Sequence, residues 1–197
     1  MRTNKMNEKY VDLYFSILST SLDNEKRSSS LIDSFYDIPP NNSQSLRIKT
    51  GNIIEKFFNQ VIEESIIVTQ LLKELDFKKN NHYIGEHQVD LLFLLDNVIY
   101  HREMKTNLDL DSGKKRDILN RQEEIAILLS NKYPNYTINS GILNPLEPSD
   151  YKEGKLGTIN GISWICDIIQ APFTPEEFLL LARHSKIQTI LKEKGCK

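Results

Sequence analysis

Residues 89–105 constrain the fold most, because they form two apolar runs joined by a short polar pair. Both runs are rich in the β-branched and large apolar residues that strands favour. The pair between them, Asp96-Asn97, tolerates the left-handed backbone that a two-residue hairpin turn requires. The sequence therefore predicts a β-hairpin with strands over residues 89–95 and 98–105. Because both strands are continuous apolar runs, we expect their faces to be buried.

This hairpin places two acids opposite each other near its open end. With the turn at the polar pair, Asp90 lies directly opposite Glu103, their Cβ atoms roughly 4.5–5.5 Å apart. Lys105 follows two residues after Glu103 and therefore points to the same face of the sheet. Charge at the end of a buried strand is costly unless it is paired or binds a metal. The pattern predicts a divalent-metal site with a basic neighbour; the alternative is a set of solvated surface residues.

Asp90, twelve intervening residues and then Glu103-Met104-Lys105 resemble the PD-(D/E)XK nuclease signature, although Val89 stands where the proline of that name would be. The longer run that ends at Lys114 resembles more specifically the type II restriction endonucleases of bacteria. The resemblance covers residues 50–141 and implies an α/β fold with a restriction-endonuclease-like core, a mixed β-sheet flanked by helices on both faces. It also implies Mg²⁺-dependent hydrolysis of phosphodiester bonds in double-stranded DNA at a specific short sequence.

The resemblance assigns catalytic and metal-binding roles to the matching residues. Asp90 and Glu103 would bind Mg²⁺, which prefers hard oxygen ligands, and the backbone carbonyl of Met104 would be a further ligand. Lys105 would orient or help deprotonate the attacking water, or steady the phosphate, and the sequence does not decide between these roles. The family often adds an acid from the preceding helix, for which Glu55 is the candidate. A surface glutamate on an amphipathic helix is an equally good interpretation of that residue.

A basic cluster follows the triad directly. Lys114, Lys115 and Arg116, with Arg121 further along, suit contacts to backbone phosphates. A solvated helix end is the alternative for such a cluster. The net charge of −2 counts only weakly against a nucleic-acid-binding protein, because the acids of a metal site offset basic residues elsewhere.

Three further residues are candidate DNA contacts. Gln88 lies two residues before Asp90 and, by the hairpin register, opposes Lys105, so it would hold that lysine or touch a phosphate unless it is simply solvated. Asn107 belongs to the run that carries the resemblance. Arg47 precedes the helix of the candidate acid and is either a phosphate contact or a solvated side chain.

Hydrophobic periodicity predicts the elements around the hairpin. Helices are predicted over residues 4–22, over residues 51–75 with Thr50 as the cap, and over residues 112–131 with Asp111 as the cap. A polar connection is expected over residues 76–86, and strands over residues 136–143 and 161–169. The last helix is predicted to run from Thr174 to about residue 194, because Thr-Pro-Glu-Glu is typical of a helix start. This order favours a mixed sheet with helices on both faces and a parallel crossover through the third helix.

The 197 residues fit a single nuclease domain. Within it we distinguish an N-terminal helical region (1–49), a catalytic core (50–143) and a C-terminal strand and helix (144–197). No run approaches the length of a membrane span, and the first residues lack the apolar core of a signal peptide. We therefore expect a cytoplasmic protein without membrane contact.

The implied function has consequences for partners. A palindromic site in double-stranded DNA is most simply cut by a homodimer, and the restriction resemblance implies a cognate DNA methyltransferase. Recognition loops are expected within residues 23–49 and 144–160. Two alternatives stay open: a PD-(D/E)XK nuclease of repair or recombination, and a non-catalytic DNA-binding protein that retains the fold.

Overall fold

The computed structural model describes residues 7–21, 36, 44–106, 108 and 110–193, with side chains for all of these except 44–49 and 193. The helices of this part are α1 (Glu8–Ser21), α2 (Gln44–Glu64), α3 (Ser112–Lys132), α4 (Ile162–Ile168), α5 (Pro175–Leu181) and α6 (Ser185–Glu193). Two short 3₁₀ helices cover Leu72–Glu74 and Gly154–Leu156. None of the helices in the described ranges is both long and apolar enough to cross a membrane.

The same residues form nine strands. They are β1 (Thr69–Gln70), β2 (Asp76–Lys78), β3 (Asn81–Ile84), β4 (His87–Val89), β5 (Leu91–Leu95), β6 (Val98–Met104), β7 (Thr137–Leu143), β8 (Tyr151–Lys152) and β9 (Thr158–Asn160). Six of these strands form one sheet, in the order β1-β5-β6-β7-β9-β8, and β2-β3-β4 form a second, smaller sheet.

The predicted hairpin is confirmed as the antiparallel pair β5–β6 inside the larger sheet. Leu95 pairs with Val98, and the pairing continues to Leu91 and Arg102, which is the predicted register. Asp96 has a left-handed backbone with a φ of 51°, as a two-residue hairpin turn requires. Beyond this last pair, the register places Asp90 and Glu103 at the same, open end of the hairpin.

The larger sheet is mixed, so the α/β class predicted from the sequence is confirmed. The pairs β1–β5, β5–β6 and β8–β9 are antiparallel, whereas the pairs β6–β7 and β7–β9 are parallel. The parallel pair β6–β7 is connected through α3, as the predicted crossover requires. The edge strands β1 and β8 have two residues each, which leaves little unpaired backbone at the edges.

Helices cover both faces of this sheet. Alternate residues of β5 point to opposite sides of the sheet and therefore pack against different helices. On one face Leu91 and Phe93 share a core with four fully buried residues of α2, namely Ile53, Ile54, Phe57 and Phe58. On the other face Leu92 packs in a core that includes Ile125 and Leu129 of α3. Burying each large apolar side chain stabilises the fold by about 1.5–3 kcal/mol.

Helix α2 differs from the prediction at both ends. It begins at Gln44, so Thr50 lies within the helix and is buried instead of capping it. It ends at Glu64 rather than near residue 75. The four residues 66–69 are all β-branched and favour an extended chain, and β1, which follows, pairs with β5.

The predicted strand over residues 161–169 is wrong, because this segment forms helix α4. Its buried apolar residues are Ile162, Ile165, Cys166 and Ile169. Their spacing of three, four and seven residues is that of one helical face, and it outweighs the β-branched composition of the segment.

The C-terminal helix begins as predicted but is divided in two. Thr174 and Glu177 form a capping box at the start of α5, with proline at the first position. The backbone N–H groups of Arg183 and His184 then bond to carbonyls three residues earlier. These tight bonds end α5, and Ser185 begins α6 in place of one continuous helix.

The predicted polar connection over residues 76–86 is also wrong, because it contains β2 and β3 of the smaller sheet. Lys78 pairs with Asn81, so Lys79 and Asn80 form a two-residue turn in which both have left-handed backbones. Every residue of β2 is exposed, so the strand lacks the apolar alternation that would identify it. β4 continues this sheet and leads directly to Asp90.

Candidate active site

Asp90 and Glu103 meet at the open end of the hairpin. Asp90 lies between β4 and β5, one residue beyond the last hairpin pair, and its Oδ2 accepts a hydrogen bond from the backbone N–H of Met104 at 2.8 Å. Glu103 lies in β6. Asp90 is only 7% exposed and Glu103 only 2%. Two acids are therefore withdrawn from water side by side, which is unfavourable without a positive partner.

Two cations contact Glu103. Its Oε1 lies 2.6 Å from Nζ of Lys105 and also contacts the guanidinium of Arg121. Lys105 follows β6, whereas Arg121 projects from α3, so the two cations reach one oxygen from the sheet and from the helix. The structure thus brings the three residues of the predicted triad, Asp90, Glu103 and Lys105, into one cluster and adds an arginine to it.

Arg121 was not expected at the acids, because the sequence groups it with the basic cluster that begins at Lys114. In the structure it lies between the buried Ile118 and Ile125 of α3, on the stripe of the helix that faces the sheet. The sequence does show that Arg121 is spaced to lie on the same helical face as these two apolar residues. Its partner Glu103 is 18 residues away and becomes evident only when α3 is packed on the sheet.

Glu55 of α2 lies close enough to the cluster for the charges of Asp90, Glu103 and Lys105 to act on its carboxyl group. One turn further along this helix, the side-chain amide of Asn59 donates a hydrogen bond to the backbone carbonyl of Asp90 at 2.9 Å. Asn59 in turn accepts a hydrogen bond from the Gln70 side chain at 2.9 Å. These two bonds fix the start of β5 against the helix that carries Glu55. Asn59 is therefore a positioning residue that the sequence did not reveal.

The carboxyl groups disfavour each other's ionisation. Burial first, and then the charges of Asp90 and Glu103, raise the pKa of Glu55 to about 8, while Lys56 and Lys105 oppose this effect. Burial and the charge of Glu103 raise the pKa of Asp90 to about 6. Near neutral pH the cluster therefore holds a proton that an exposed carboxyl would have lost, and any cation placed among the acids would release it.

The donor set fits Mg²⁺. The described residues contain no group of three or more His, Cys, Asp or Glu side chains already arranged around a metal position. Mg²⁺ needs only one or two protein carboxylates, with waters and substrate phosphate completing its shell, and the buried oxygens of Asp90 and Glu103 meet that requirement. Met104, whose carbonyl is the further predicted ligand, is the last residue of β6.

Gln88 differs from its predicted position. It belongs to β4 and pairs with Tyr83 of β3, so it does not lie opposite Lys105 in the hairpin. Its side-chain amide instead approaches Oδ1 of Asp90 at 3.5 Å. The reason is that the chain bends at Asp90 between the two sheets, and the hairpin register does not extend past this residue.

The basic cluster lies at the start of α3, where two of its members pair with acids. Asp111 caps the helix as predicted, accepting a hydrogen bond from the backbone N–H of Lys114 at 2.9 Å. Nζ of Lys114 lies 3.3 Å from the same carboxylate, and Nζ of Lys115 lies 2.6 Å from Glu153. The positive charge of this segment is thus partly neutralised within the protein.

An open cleft of about 550 Å³ runs beside this helix start. Lys115, Arg116 and Lys155 are among the residues that line it. The side chain of Arg116 is exposed. The cleft therefore brings together cations from α3 and from the 3₁₀ helix that contains Lys155.

Two predicted DNA contacts lie beyond the described side chains. Asn107 is outside the described residues. Arg47 lies in α2, eight residues before Glu55, and its side chain is not among those described. Of the segments expected to carry recognition loops, residues 144–160 include β8 and β9, whereas residues 23–35 and 37–43 are outside the described ranges.

Comparison of the chain with known protein families, with curated proteins and with solved structures gives no significant match.

Proposed function

We propose that this protein is a Mg²⁺-dependent endonuclease of the PD-(D/E)XK superfamily that cuts double-stranded DNA at a specific short sequence, as type II restriction endonucleases do. One observation carries the proposal: buried Asp90 and Glu103 meet at the end of one hairpin, with Nζ of Lys105 2.6 Å from Glu103. Apolar residues of similar volume would often stabilise such a site more than buried charges do. Two buried acids and a lysine in this arrangement are therefore better explained by chemistry than by stability.

The order of elements supports the same proposal. Helix α2, the antiparallel hairpin β5–β6, helix α3 and the parallel strand β7 follow one another along the chain. The resemblance implies a restriction-endonuclease-like core in which the acids and the lysine lie on a hairpin after a helix. We propose that the mixed sheet and the helices on its two faces are such a core.

Phosphodiester hydrolysis requires an activated water and neutralisation of the phosphate charge. Bound Mg²⁺ would supply a water of lowered pKa and much of the neutralisation, and Asp90 and Glu103 would hold the ion. Nζ of Lys105, beside Glu103 and partly exposed, would orient the attacking water or contact the phosphate. The guanidinium of Arg121 would fix Glu103 from the helix side and add positive charge where the phosphate charge increases.

Glu55 would serve as a proton acceptor and donor. Its pKa of about 8, raised first by burial and then by the neighbouring acids, is close to the pH at which a general acid–base group is most effective. A carboxyl of ordinary pKa would be fully ionised at neutral pH. The raised pKa keeps this residue protonated at neutral pH before Mg²⁺ binds, and the residue would act as a proton acceptor once the ion has displaced that proton.

The proposed partners follow from the proposed function. Cutting both strands of a palindrome would require a homodimer, because the symmetry of the site then matches that of the protein. A cognate methyltransferase would protect the host DNA in the cytoplasm. Arg116 and Lys155, in the cleft beside α3, would contact backbone phosphates.

Sequencing of fragment ends tests this function. Unmethylated plasmid and phage DNA would be incubated with the protein and Mg²⁺, and the ends of the fragments would be sequenced. We expect one short palindromic motif at every end. Glu103→Gln, which keeps the shape of the side chain but loses its charge, should give no fragments, whereas the exposed Glu86→Gln should cut as the wild type does.

The other outcomes identify the alternatives. Cutting confined to branched or single-stranded regions, without a motif, would indicate a repair or recombination nuclease. Intact DNA after incubation with Mg²⁺ and with Mn²⁺ would contradict the enzymatic proposal and leave a DNA-binding protein that retains the fold.

A further inference from the structure

The hairpin formed by β2 and β3, residues 76–84, has an exposed surface, although two of its side chains pair across the strands. The rings of Phe77 and His82 lie 5.0 Å apart between centroids, and Nζ of Lys78 lies 5.7 Å from the centroid of the Tyr83 ring. The ring of Phe77 is 64% exposed, although it lies in a strand of only three residues. Lys79 has a left-handed backbone with a φ of 48°, which residues with a side chain rarely adopt and which glycine or asparagine would adopt more easily. A binding surface would explain both the exposed aromatic ring and the lysine in a sparsely populated backbone conformation.

The β2–β3 hairpin lies beside the acid cluster. Together with α2 it lines an open cleft of about 790 Å³, to which the helix contributes Glu55 and Lys56 and the hairpin contributes Phe77, Lys79 and Asn80. A residue of the acid cluster therefore forms part of one wall, and the tip of the hairpin forms part of the other. A ligand that filled the cleft would contact both walls.

The hairpin is also rigidly connected to the cluster through β4. Tyr83 of β3 pairs with Gln88 of β4, and Asp90 follows two residues later. The side-chain amide of Gln88 approaches Oδ1 of Asp90 at 3.5 Å. Antiparallel pairing across the three strands thus holds the hairpin tip at a fixed distance from the acids.

The exposed groups of the hairpin match the surface of duplex DNA. Two-stranded β-ribbons fit the major groove, and adjacent lysines such as Lys78 and Lys79 provide the positive charge that backbone phosphates attract. Asn80 in the turn and Asn81 at the start of β3 carry the amide that pairs with the exposed edge of adenine. The exposed ring of Phe77 offers an apolar contact for a thymine methyl group.

We propose that the β2–β3 hairpin is a DNA-binding ribbon that enters the major groove next to the scissile phosphate. This inference rests on the proposed nuclease function. It assigns to the hairpin the DNA contacts that lie closest to Asp90 and Glu103. Sequence recognition would then come from this hairpin, and not from residues 23–49 and 144–160, where the sequence predicts recognition loops.

A binding measurement without cleavage tests the ribbon directly. A fluorescent pool of random duplexes, three helical turns long, would be titrated with the protein in EDTA, and anisotropy would report the Kd at several salt concentrations. Phe77→Ala and the double variant Lys78→Ala/Lys79→Ala should each raise the Kd about tenfold. The double variant should also reduce the salt dependence of log K by about two, one for each lost phosphate contact.

Matched controls separate the ribbon from general effects. Lys192→Ala removes an exposed lysine from α6, and Leu180→Ala removes a half-exposed apolar side chain from α5. Both should leave the Kd within about twofold of wild type, because neither residue belongs to the β2–β3 hairpin or lines the cleft beside it. Lys79→Asn removes the charge but suits the left-handed turn, so it should weaken binding while leaving the thermal stability equal to or above that of wild type.

The outcomes distinguish this inference from the proposed function. If the wild type binds and cuts DNA while the hairpin variants bind equally well, the ribbon is contradicted and the nuclease stands. If the hairpin variants lose binding but Mg²⁺ produces no cutting by the wild type, the ribbon stands and the nuclease is contradicted. A change of oligomeric state in Phe77→Ala, with DNA binding intact, would assign the exposed ring to contacts between protein copies and overturn the inference.

Discussion

Replacing Glu55 with glutamine is expected to stabilise the protein at alkaline pH. Burial, together with the charges of Asp90 and Glu103, raises the pKa of Glu55 from 4.5 to about 8. Between these two values the folded protein holds a proton that the unfolded chain has lost, so the stability of the wild type falls as the pH rises. At about 1.4 kcal/mol per unit of pKa shift, this loss amounts to about 3 kcal/mol between about pH 5 and pH 8.

The glutamine side chain has nearly the same shape and no charge to desolvate, so the Glu55→Gln variant should lose none of this stability. Urea unfolding, followed by circular dichroism from pH 5 to pH 8, would give the free energy of unfolding of both proteins. We expect similar values near pH 5 and a variant that is about 3 kcal/mol more stable near pH 8. Glu86→Gln, in the exposed turn between β3 and β4, is the matched control and should follow the wild type.

The same experiment has an outcome that would contradict the placement of Glu55 beside Asp90 and Glu103. If wild type and Glu55→Gln lose stability in parallel as the pH rises, Glu55 titrates as an ordinary surface glutamate. The acid would then not belong to the cluster, and its assigned role in proton transfer would be withdrawn.

Three further predictions concern the same cluster and its support. Binding of Mg²⁺ at pH 7 should release about one proton, because Glu55 must ionise beside the ion; calorimetry in buffers of different ionisation enthalpy measures this number, and a value of zero would contradict the placement. Arg121→Met should lower the free energy of unfolding by about 1–3 kcal/mol, because buried Glu103 loses one of its two cations; Arg121→Lys should recover part of this loss, and equal losses in the two variants would argue against an ionic role. Phe57→Ala should lower the free energy of unfolding by about 3–5 kcal/mol in urea, and a loss below 1 kcal/mol would show that α2 does not pack on the sheet as described.

The part of the fold that the sequence predicts best is the part with strong local signals. The turn at Asp96 has residues that suit it, and the apolar runs on either side leave only one register. Asp111 and Thr174 begin helices as their side chains lead one to expect. In each case a few neighbouring residues determine the local structure.

The predicted secondary structure is wrong where tertiary contacts determine it or where the sequence pattern is weak. Residues 161–169 are β-branched enough to suggest a strand, yet the spacing of their buried side chains makes a helix that packs in the core. The β2–β3 hairpin was missed because exposed strands carry no apolar alternation. Helix α2 was extended too far because the pairing of β1 with β5 cannot be seen in the chain itself.

The candidate site shows the same division. The relation of Asp90 to Glu103 follows from the hairpin register and was predictable. Gln88 was misplaced because the chain changes sheets at Asp90, a bend that has no signature in the sequence. The contact between Arg121 and Glu103 does not follow from the sequence, because the two residues are distant in the chain.

Conversion of supercoiled plasmid to linear DNA by the wild type and by Lys105→Ala, each in Mg²⁺ and in EDTA, would decide whether Asp90, Glu103 and Lys105 form a Mg²⁺-dependent nuclease centre. The proposed chemistry predicts that the wild type cuts only with Mg²⁺, that Lys105→Ala is slower by about 100-fold or more, and that Lys192→Ala equals the wild type. Folding of the variants would be verified by circular dichroism. Equal rates for the wild type and Lys105→Ala, or cutting that persists in EDTA, would contradict the assignment of the acid cluster as a Mg²⁺-dependent nuclease centre.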